Sequence, residues 1–424
     1  MTFIKRSFSS NALWSLAGGG ISALAAVAAI PALIHLLGVE KFALVSLLIS
    51  LNLFFFVYDF GLTRAMHFFS PKIGHQRESE AGSLIGNSLV VAIVLGVLVT
   101  LIAILASPVF TSTWLNYTGQ AADAATKAFQ ITAFGIIPAL ISNAIKGNLE
   151  GRLEFKKANV AKIVSGVSLL AAPVGMAMIN DSIVMLAVAM MLTRFGSLAF
   201  YFYLLSRVIR PHYFSISPEG LKNIVGYAFW AGISGFFATL FIYGDRFIVA
   251  GFISPEELAI YIASQDVLIR YLLVPWSLAI VLSPYFSSDT VSLDSFKVVY
   301  AKAVNSIQWL TLCFIVLVCL VVRFLVPVWV DSQLIELSMQ INYIMLIGII
   351  FASFAQLPLI FLYAQGKAKL ITIIFVFEGL GYLLVAPLVF DAFGVLGAAS
   401  IWTIRLLIEF MLLNYFAKRF LLHA

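Results

Sequence analysis

Twelve stretches of this chain run for about 20 residues or more with almost no charge, the length a helix needs to cross a hydrocarbon layer of ~30 Å. They lie near residues 11–37, 41–66, 83–107, 124–148, 158–179, 183–207, 223–252, 256–286, 303–327, 337–364, 369–390 and 394–417. Over the whole sequence 62% of residues are hydrophobic and only 11% are charged. A soluble domain carries about 25% charged residues, so this chain has too few to clothe a water-facing surface. In lipid the backbone must satisfy its own hydrogen bonds, which permits helices or a closed barrel. The runs are continuous rather than alternating, so helices are predicted: an all-α polytopic membrane protein.

Charge placement predicts the orientation. Nineteen Lys and Arg residues fall on one set of connecting segments, including Lys5, Arg6, Lys156, Lys157, Lys297 and Lys418. The opposite set holds only Lys41, Lys127 and Arg323. Basic loops stay on the cytoplasmic side, so both termini are expected in the cytoplasm, in agreement with an even number of passes. The net charge of +6 therefore reads as a topology signal and not as a nucleic-acid footprint. The first apolar run is too long for the core of a cleaved leader and is read as the first membrane helix. Trp114, Tyr117 and Trp329 fall where interface anchors belong. Cys313 and Cys319 are six apart within one run, on different helix faces, so free thiols are expected.

The two halves repeat. Gly38–Leu44 matches Ser254–Ile260 at a shift of 216, Glu150–Arg152 matches Gln365–Lys367 at 215, and Leu169–Pro173 matches Leu383–Pro387 at 214. Three segments in one order at nearly one offset predict a duplicated six-helix unit. An even number of passes per copy makes the repeat parallel. The expected organisation is a six-helix bundle over 1–210, a cytoplasmic linker over 211–222 and a second six-helix bundle over 223–424. Prolines at 31, 138, 173, 275, 284, 358 and 387 lie inside the runs and are candidate kinks.

No catalytic signature stands out. There is no Walker loop, and Gly18-Gly19-Gly20 sits inside an apolar run as a packing face, not after a strand. The longest outer loop, Thr111–Asp123, has no Arg, Lys or His, which argues against membrane glycosyl ligases. His35, His67, His75, His212 and His423 form no i, i+4 pair and sit in no acidic cluster, so neither a metal nor another cofactor is expected.

The informative residues are charges inside the runs, which cost several kcal/mol in lipid and face a cavity or a partner instead. They are Asp59, Arg64, Lys162, Arg194, Asp245, Arg246, Asp266, Arg270, Glu378, Arg405 and Glu409. Two readings compete for most of them. Asp266–Arg270 and Arg405–Glu409 have i, i+4 spacing, and Arg246 and Asp266 lie at similar depth on neighbouring passes, so they can neutralise one another. Alternatively Arg194, Arg270, Arg405, Arg246 and Arg64 line a cavity for an anionic ligand, whose oxygens suit the guanidinium fork. Arg194 is the strongest such candidate, because no carboxylate lies within four residues of it. Asp59, Asp245, Asp266, Glu378 and Glu409 are candidates for gating or ion coupling, with a fixed helix end as the competing role for Asp59.

A set of short motifs in fixed order then becomes recognisable. It comprises Gly38-Val39-Glu40-Lys41-Phe42-Ala43, Tyr58-Asp59-Phe60-Gly61-Leu62, Gly147–Arg152 followed by Asn159, Gly244-Asp245-Arg246-Phe247-Ile248, Tyr261, and Tyr363–Lys367. The pattern resembles the Wzx-type O-antigen flippases in the multidrug/oligosaccharidyl-lipid/polysaccharide exporter superfamily, over nearly the whole chain. The resemblance implies a MATE-like fold of twelve helices in two bundles, in the bacterial inner membrane. It implies transport, without enzymatic activity, of an O-antigen repeat unit on undecaprenyl pyrophosphate from the cytoplasmic to the periplasmic leaflet. It further implies membrane lipids as surroundings, with an O-antigen polymerase and a chain-length regulator as partners. Export of another surface polysaccharide precursor, or of drugs, is the alternative, and a glycan-enzyme scaffold is the reading outside transport. Residues 11–37 contain no Asp or Glu, which disfavours a proton-coupled drug exporter.

Overall fold

The computed structural model describes residues 2–57, 59–73, 77–114, 118–210, 213–249, 251–287, 293–329 and 334–423, and among these there is no strand. Tyr58, Tyr117, Pro211 and the side chains of Trp114 and Trp329 lie outside the described residues, and with them the anchor reading of these aromatics. Thirteen α-helices follow one another: α1 (Thr2–Val57), α2 (Leu62–Phe69), α3 (Glu78–Val109), α4 (Gly119–Phe134), α5 (Ile136–Gly151), α6 (Phe155–Ala177) and α7 (Ile183–Ser206). They continue as α8 (Pro218–Val249), α9 (Pro255–Arg270), α10 (Leu273–Ser287), α11 (Leu293–Trp329), α12 (Ile335–Ala364) and α13 (Ala368–His423).

Among the described residues ten stretches are long and apolar enough to cross a membrane. Two of the twelve expected passes are not separate members of this set. Gly394 is non-helical inside α13, so its 54-residue apolar stretch, Ala368–Leu421, is two helices joined at a turn. Unbroken, it would measure about 80 Å at 1.5 Å per residue, far more than one crossing needs. The expected pass over 41–66 includes residues 53–58, whose side chains lie outside the described residues; a break follows before α2, where Phe60 and Gly61 take left-handed backbone conformations. The multi-pass all-α fold is as the sequence predicted.

The contacts divide the chain into two compact units, Met1–Gly232 and Ile233–Ala424. In the first, Leu33 and Leu48 of α1 pack with Leu169 of α6 and with Leu186 and Met190 of α7. In the second, Tyr261 and Leu268 of α9 pack with Ile341 and Met345 of α12 and with Ala386 and Trp402 of α13. The outward faces are equally apolar, with Leu105 of α3 and Leu384 of α13 about three-quarters exposed, at 77% and 74%. Water would penalise such faces, whereas lipid tails are as apolar as leucine.

The repeat is visible in backbone hydrogen bonds, and it corrects one register. At the α5–α6 turn Leu153 is left-handed (φ 64°), its N–H donates to Glu150 O, and Glu154 N–H donates to Leu149 O. At the α12–α13 turn Gly366 is left-handed (φ 74°), its N–H donates to Tyr363 O, and Lys367 N–H donates to Leu362 O. Both are Schellman turns. The structural mate of Gly366 is thus Leu153, not Gly151 as the motif alignment at a shift of 215 had it. The left-handed position, and not the glycine of the motif, marks the turn. Two of the seven expected kinks move as well. Pro138 and Pro275 lie in the first turns of α5 and α10, where proline is tolerated.

Leu153 is half-exposed and carries the roughly 1–2 kcal/mol penalty of a left-handed side chain. Leu153→Gly should raise the thermal midpoint of the detergent-purified protein by a few degrees, and Gly366→Leu should lower it. A lower midpoint for Leu153→Gly would show that the leucine side chain contributes more than the strain costs.

Candidate functional site

Each unit buries a separate set of charges. In the first unit Arg194, in the middle of α7, is 2% exposed. Its Nε donates to Asn52 Oδ1 (3.1 Å), Nη2 to Asn52 O (2.8 Å) and Nη1 to Ser165 Oγ (3.2 Å). Asn52 belongs to the second pass and Ser165 to α6, so three helices meet at one guanidinium. Gly135, between α4 and α5, closes the site from another side: a Cβ there would lie 3.3 Å from both Arg194 Cγ and Asn52 Oδ1. None of these acceptors lies within four residues of Arg194 in sequence. Asn52 is 142 positions away in sequence.

The break before α2 fixes two further candidates. Asp59 accepts from Gly61 N–H (3.1 Å) and Thr63 N–H (2.6 Å), satisfying donors at the start of α2. Of the two roles weighed for Asp59, the fixed helix end is the one its hydrogen bonds describe. Arg64 donates through Nη1 to the backbone carbonyl of Ala231 in α8 (2.9 Å). Backbones touch here: a Cβ on Gly61 would come within 2.5 Å of Ala228 O, and one on Gly232 within 2.8 Å of Phe60 O. One pair escaped the sequence reading. His67 of α2 and Glu150 of α5, both buried, lie 3.0 Å apart, although His67 has no acidic neighbour in sequence.

In the second unit Asp245 of α8 accepts from Tyr261 Oη (2.8 Å) and Gln265 Nε2 (2.9 Å), both on α9. Arg246 donates to Gln265 Oε1 (2.6 Å) and to Asp266 Oδ1 (2.6 Å). The cross-turn Arg246–Asp266 pair expected from equal depth is therefore present. It replaces the Asp266–Arg270 spacing pair, and Arg270 stands exposed at the end of α9. Along α13 Arg405 makes its i, i+4 pair with Glu409 (3.0 Å), lies 3.8 Å from Glu378, and places its guanidinium over the Phe241 ring.

Orphaned polar atoms surround this second cluster. Among the described residues, neither carboxylate oxygen of Glu378 has a hydrogen-bond partner, nor have Asp245 Oδ1, Tyr382 Oη and Trp402 Nε1. Glu378 and Tyr382 are four apart on α13, hence on one face. A buried polar group left without a partner costs roughly 1–3 kcal/mol, so several together mark a site built for something other than stability. No group of three or more potential metal ligands occurs among the described residues. Both cysteines are free.

These features define a class: a polytopic membrane protein of the MATE transporter fold. A crystal structure of a MATE variant superimposes with a TM-score of 0.81 at 15% identity, over 98% of this chain and 96% of that one. A MOP superfamily transporter from Pyrococcus furiosus gives 0.78 at 15% identity, with the same coverage. A family profile described as polysaccharide biosynthesis protein matches residues 32–339, and the chain belongs to that family. A Shigella flexneri protein provisionally described as an O-antigen transporter is 24% identical over 415 residues, 96% of this chain and 97% of that protein.

Because Arg405 holds Glu409 in the membrane interior, Arg405→Ala leaves buried carboxylates without their cation. This should destabilise the purified protein by about 3–5 kcal/mol, whereas Glu378→Gln should be neutral or stabilising. Thermal unfolding of the two variants separates the roles, and equal destabilisation would show that Glu378 shares the pair.

Proposed function

We propose that this protein moves undecaprenyl-pyrophosphate-linked O-antigen repeat units from the cytoplasmic to the periplasmic leaflet of the bacterial inner membrane, by alternating access. The observation that carries the reading is the full-length similarity to the Shigella protein, joined to membership of the polysaccharide biosynthesis family. The buried basic residues supply the chemistry. A pyrophosphate presents oxygens that a guanidinium fork binds in bidentate fashion. Arg194 is held in place by Asn52 and Ser165, which orient the guanidinium for contact with phosphate oxygens. Arg246, Arg270, Arg405 and Arg64 are further candidate contacts. The polyprenyl tail stays in lipid, so only the charged head needs a polar path.

The carboxylates take the coupling role. Asp245, Glu378 and Glu409 lie buried with Arg405, and Glu378 has no hydrogen bond to stabilise a charge. A cluster of this kind gains by accepting a proton or a cation, which links substrate movement to an ion gradient. Asp266 and Asp59 are secondary candidates, since each already holds a neighbour: Arg246 in one case and the start of α2 in the other. Both termini lie in the cytoplasm in this reading, and the delivered units pass to an O-antigen polymerase and its chain-length regulator. The six-helix halves correspond to 1–210 and 223–424, with 211–222 as linker. The MATE fold alone suits drug export equally well, but Leu13–Gly38 has no acidic residue to carry a proton there.

The test is a lipopolysaccharide ladder. A strain lacking the gene should lose its long O-chain bands, and the wild-type gene should restore them. Arg194→Ala, at equal protein level in the membrane, should reduce the long bands about tenfold or more, the equivalent of one charge-assisted hydrogen bond of roughly 1.5–3 kcal/mol. A full ladder from Arg194→Ala would remove this residue from the transport path. A full ladder in the deletion strain, with every other surface glycan intact, would sink the O-antigen reading and favour drug export.

A further inference from the structure

At one end of the second unit the start of α11 and the close of α13 form a cleft of about 290 Å³ lined by Lys297, Tyr300, Lys418 and Leu421. Its depth is set by the spans themselves. Lys297 precedes the apolar run near 303–327, and Lys418 and Leu421 follow the run near 394–417, so the cleft lies where hydrocarbon gives way to water. The charge asymmetry of the loops predicts that this end faces the cytoplasm. Both lysines are exposed. A third, Lys367, stands over the ring of Phe420, the neighbour of Leu421, at 4.5 Å.

The walls are as informative as the charges. Tyr300 packs edge-on against Phe361 and tilted against Phe286, giving the cleft a fixed aromatic floor. Leu421 and the lysine stems complete an apolar lining, with charge only at the rim. Beside the rim the surface is apolar and open: Val298 is 41% exposed, and Tyr415, one turn before Lys418, is 59% exposed. A free anion needs no apolar walls. A cleft with cations at the rim, an apolar interior and a greasy approach at interface depth matches a phosphodiester attached to a glycerol and acyl chains. The volume is at the low end for a ligand pocket, room for a headgroup and glycerol but not for the chains, which would lie on the open apolar face.

We propose that this cleft binds an anionic phospholipid of the cytoplasmic leaflet, with Lys297 and Lys418 on the phosphate and Tyr300 and Leu421 against the glycerol and first methylenes. The site is separate from the buried arginines and does not depend on what the protein transports. Its effect is to anchor the ends of α11 and α13 to the leaflet, in the manner of a juxtamembrane basic patch that has acquired a shape.

The probe is phosphatidylglycerol, titrated onto the delipidated full-length protein and counted by native mass spectrometry. Phosphatidylcholine serves as the zwitterionic arm and inorganic phosphate as the competitor. Each lysine near the surface contributes roughly a fivefold gain, so Lys297→Ala combined with Lys418→Ala should weaken phosphatidylglycerol binding on the order of twentyfold. The pair Lys127→Ala and Lys222→Ala, two exposed lysines elsewhere, should leave it unchanged, as should every thermal midpoint. Leu421→Ser should weaken phosphatidylglycerol and leave inorganic phosphate alone. Equal loss in the control pair would mean diffuse attraction and no site, and unchanged binding in the cleft pair would overturn the proposal. Displacement of the lipid by inorganic phosphate at comparable concentration would assign the cleft to a free anion. All three outcomes are independent of the O-antigen ladder.

Discussion

In hydrocarbon an unpaired backbone group has no water to turn to, and everything in this protein follows from that. The described chain is helical over most of its length, and several of the places where a helix stops are covered by a specific partner. The carboxylate of Asp59 takes up the first N–H groups of α2, and the Arg64 guanidinium reaches a carbonyl of α8. Ser254 and Glu257 cap α9 reciprocally, side chain to backbone in both directions. The turns at Leu153 and Gly366 close on themselves with the same pair of hydrogen bonds. The break before α2 is therefore a built feature, with the backbone groups at its start taken up by Asp59.

The two halves share this backbone logic and differ in the charges they bury. Each carries an arginine in its sixth pass, Arg194 and Arg405, and both are buried. Around Arg194 the described acceptors are an amide, a carbonyl and a hydroxyl. Around Arg405 they are glutamates, with orphaned oxygens close by. The carboxylates around Arg405 commit it to an ion pair and add groups that bind protons. The turns at Leu153 and Gly366 are alike, while the buried interiors differ chemically.

Several pieces of this were legible in the chain. The apolar runs located the passes, because a helix in lipid must be apolar over its whole length. The Ser254-Pro255-Glu256-Glu257 string carries the capping-box spacing that the structure realises. The Arg405–Glu409 pair follows from i, i+4 spacing on one helix, and Arg246–Asp266 from depth on neighbouring passes. The repeat was found, but with its turn two residues out of register, since Leu153 occupies a position where glycine is the usual mark. The apparent isolation of Arg194 and of His67 reflected the width of the window. Asn52 and Glu150 reach them from passes 142 and 83 residues away.

What the sequence determined by itself is the all-α polytopic class, where the apolar runs lie, and the i, i+4 pairing along one helix. These depend on composition, period and spacing along one helix, all of which are written in order along the chain. Which buried charge meets which acceptor was decided only by the tertiary structure. The lipid-facing and protein-facing sides of these helices are almost equally apolar, so no hydrophobic stripe records how each helix is rotated about its axis. That rotation is set by close packing at positions such as Gly61, Gly135 and Gly232, and it alone brings residues more than a hundred positions apart to within 3 Å.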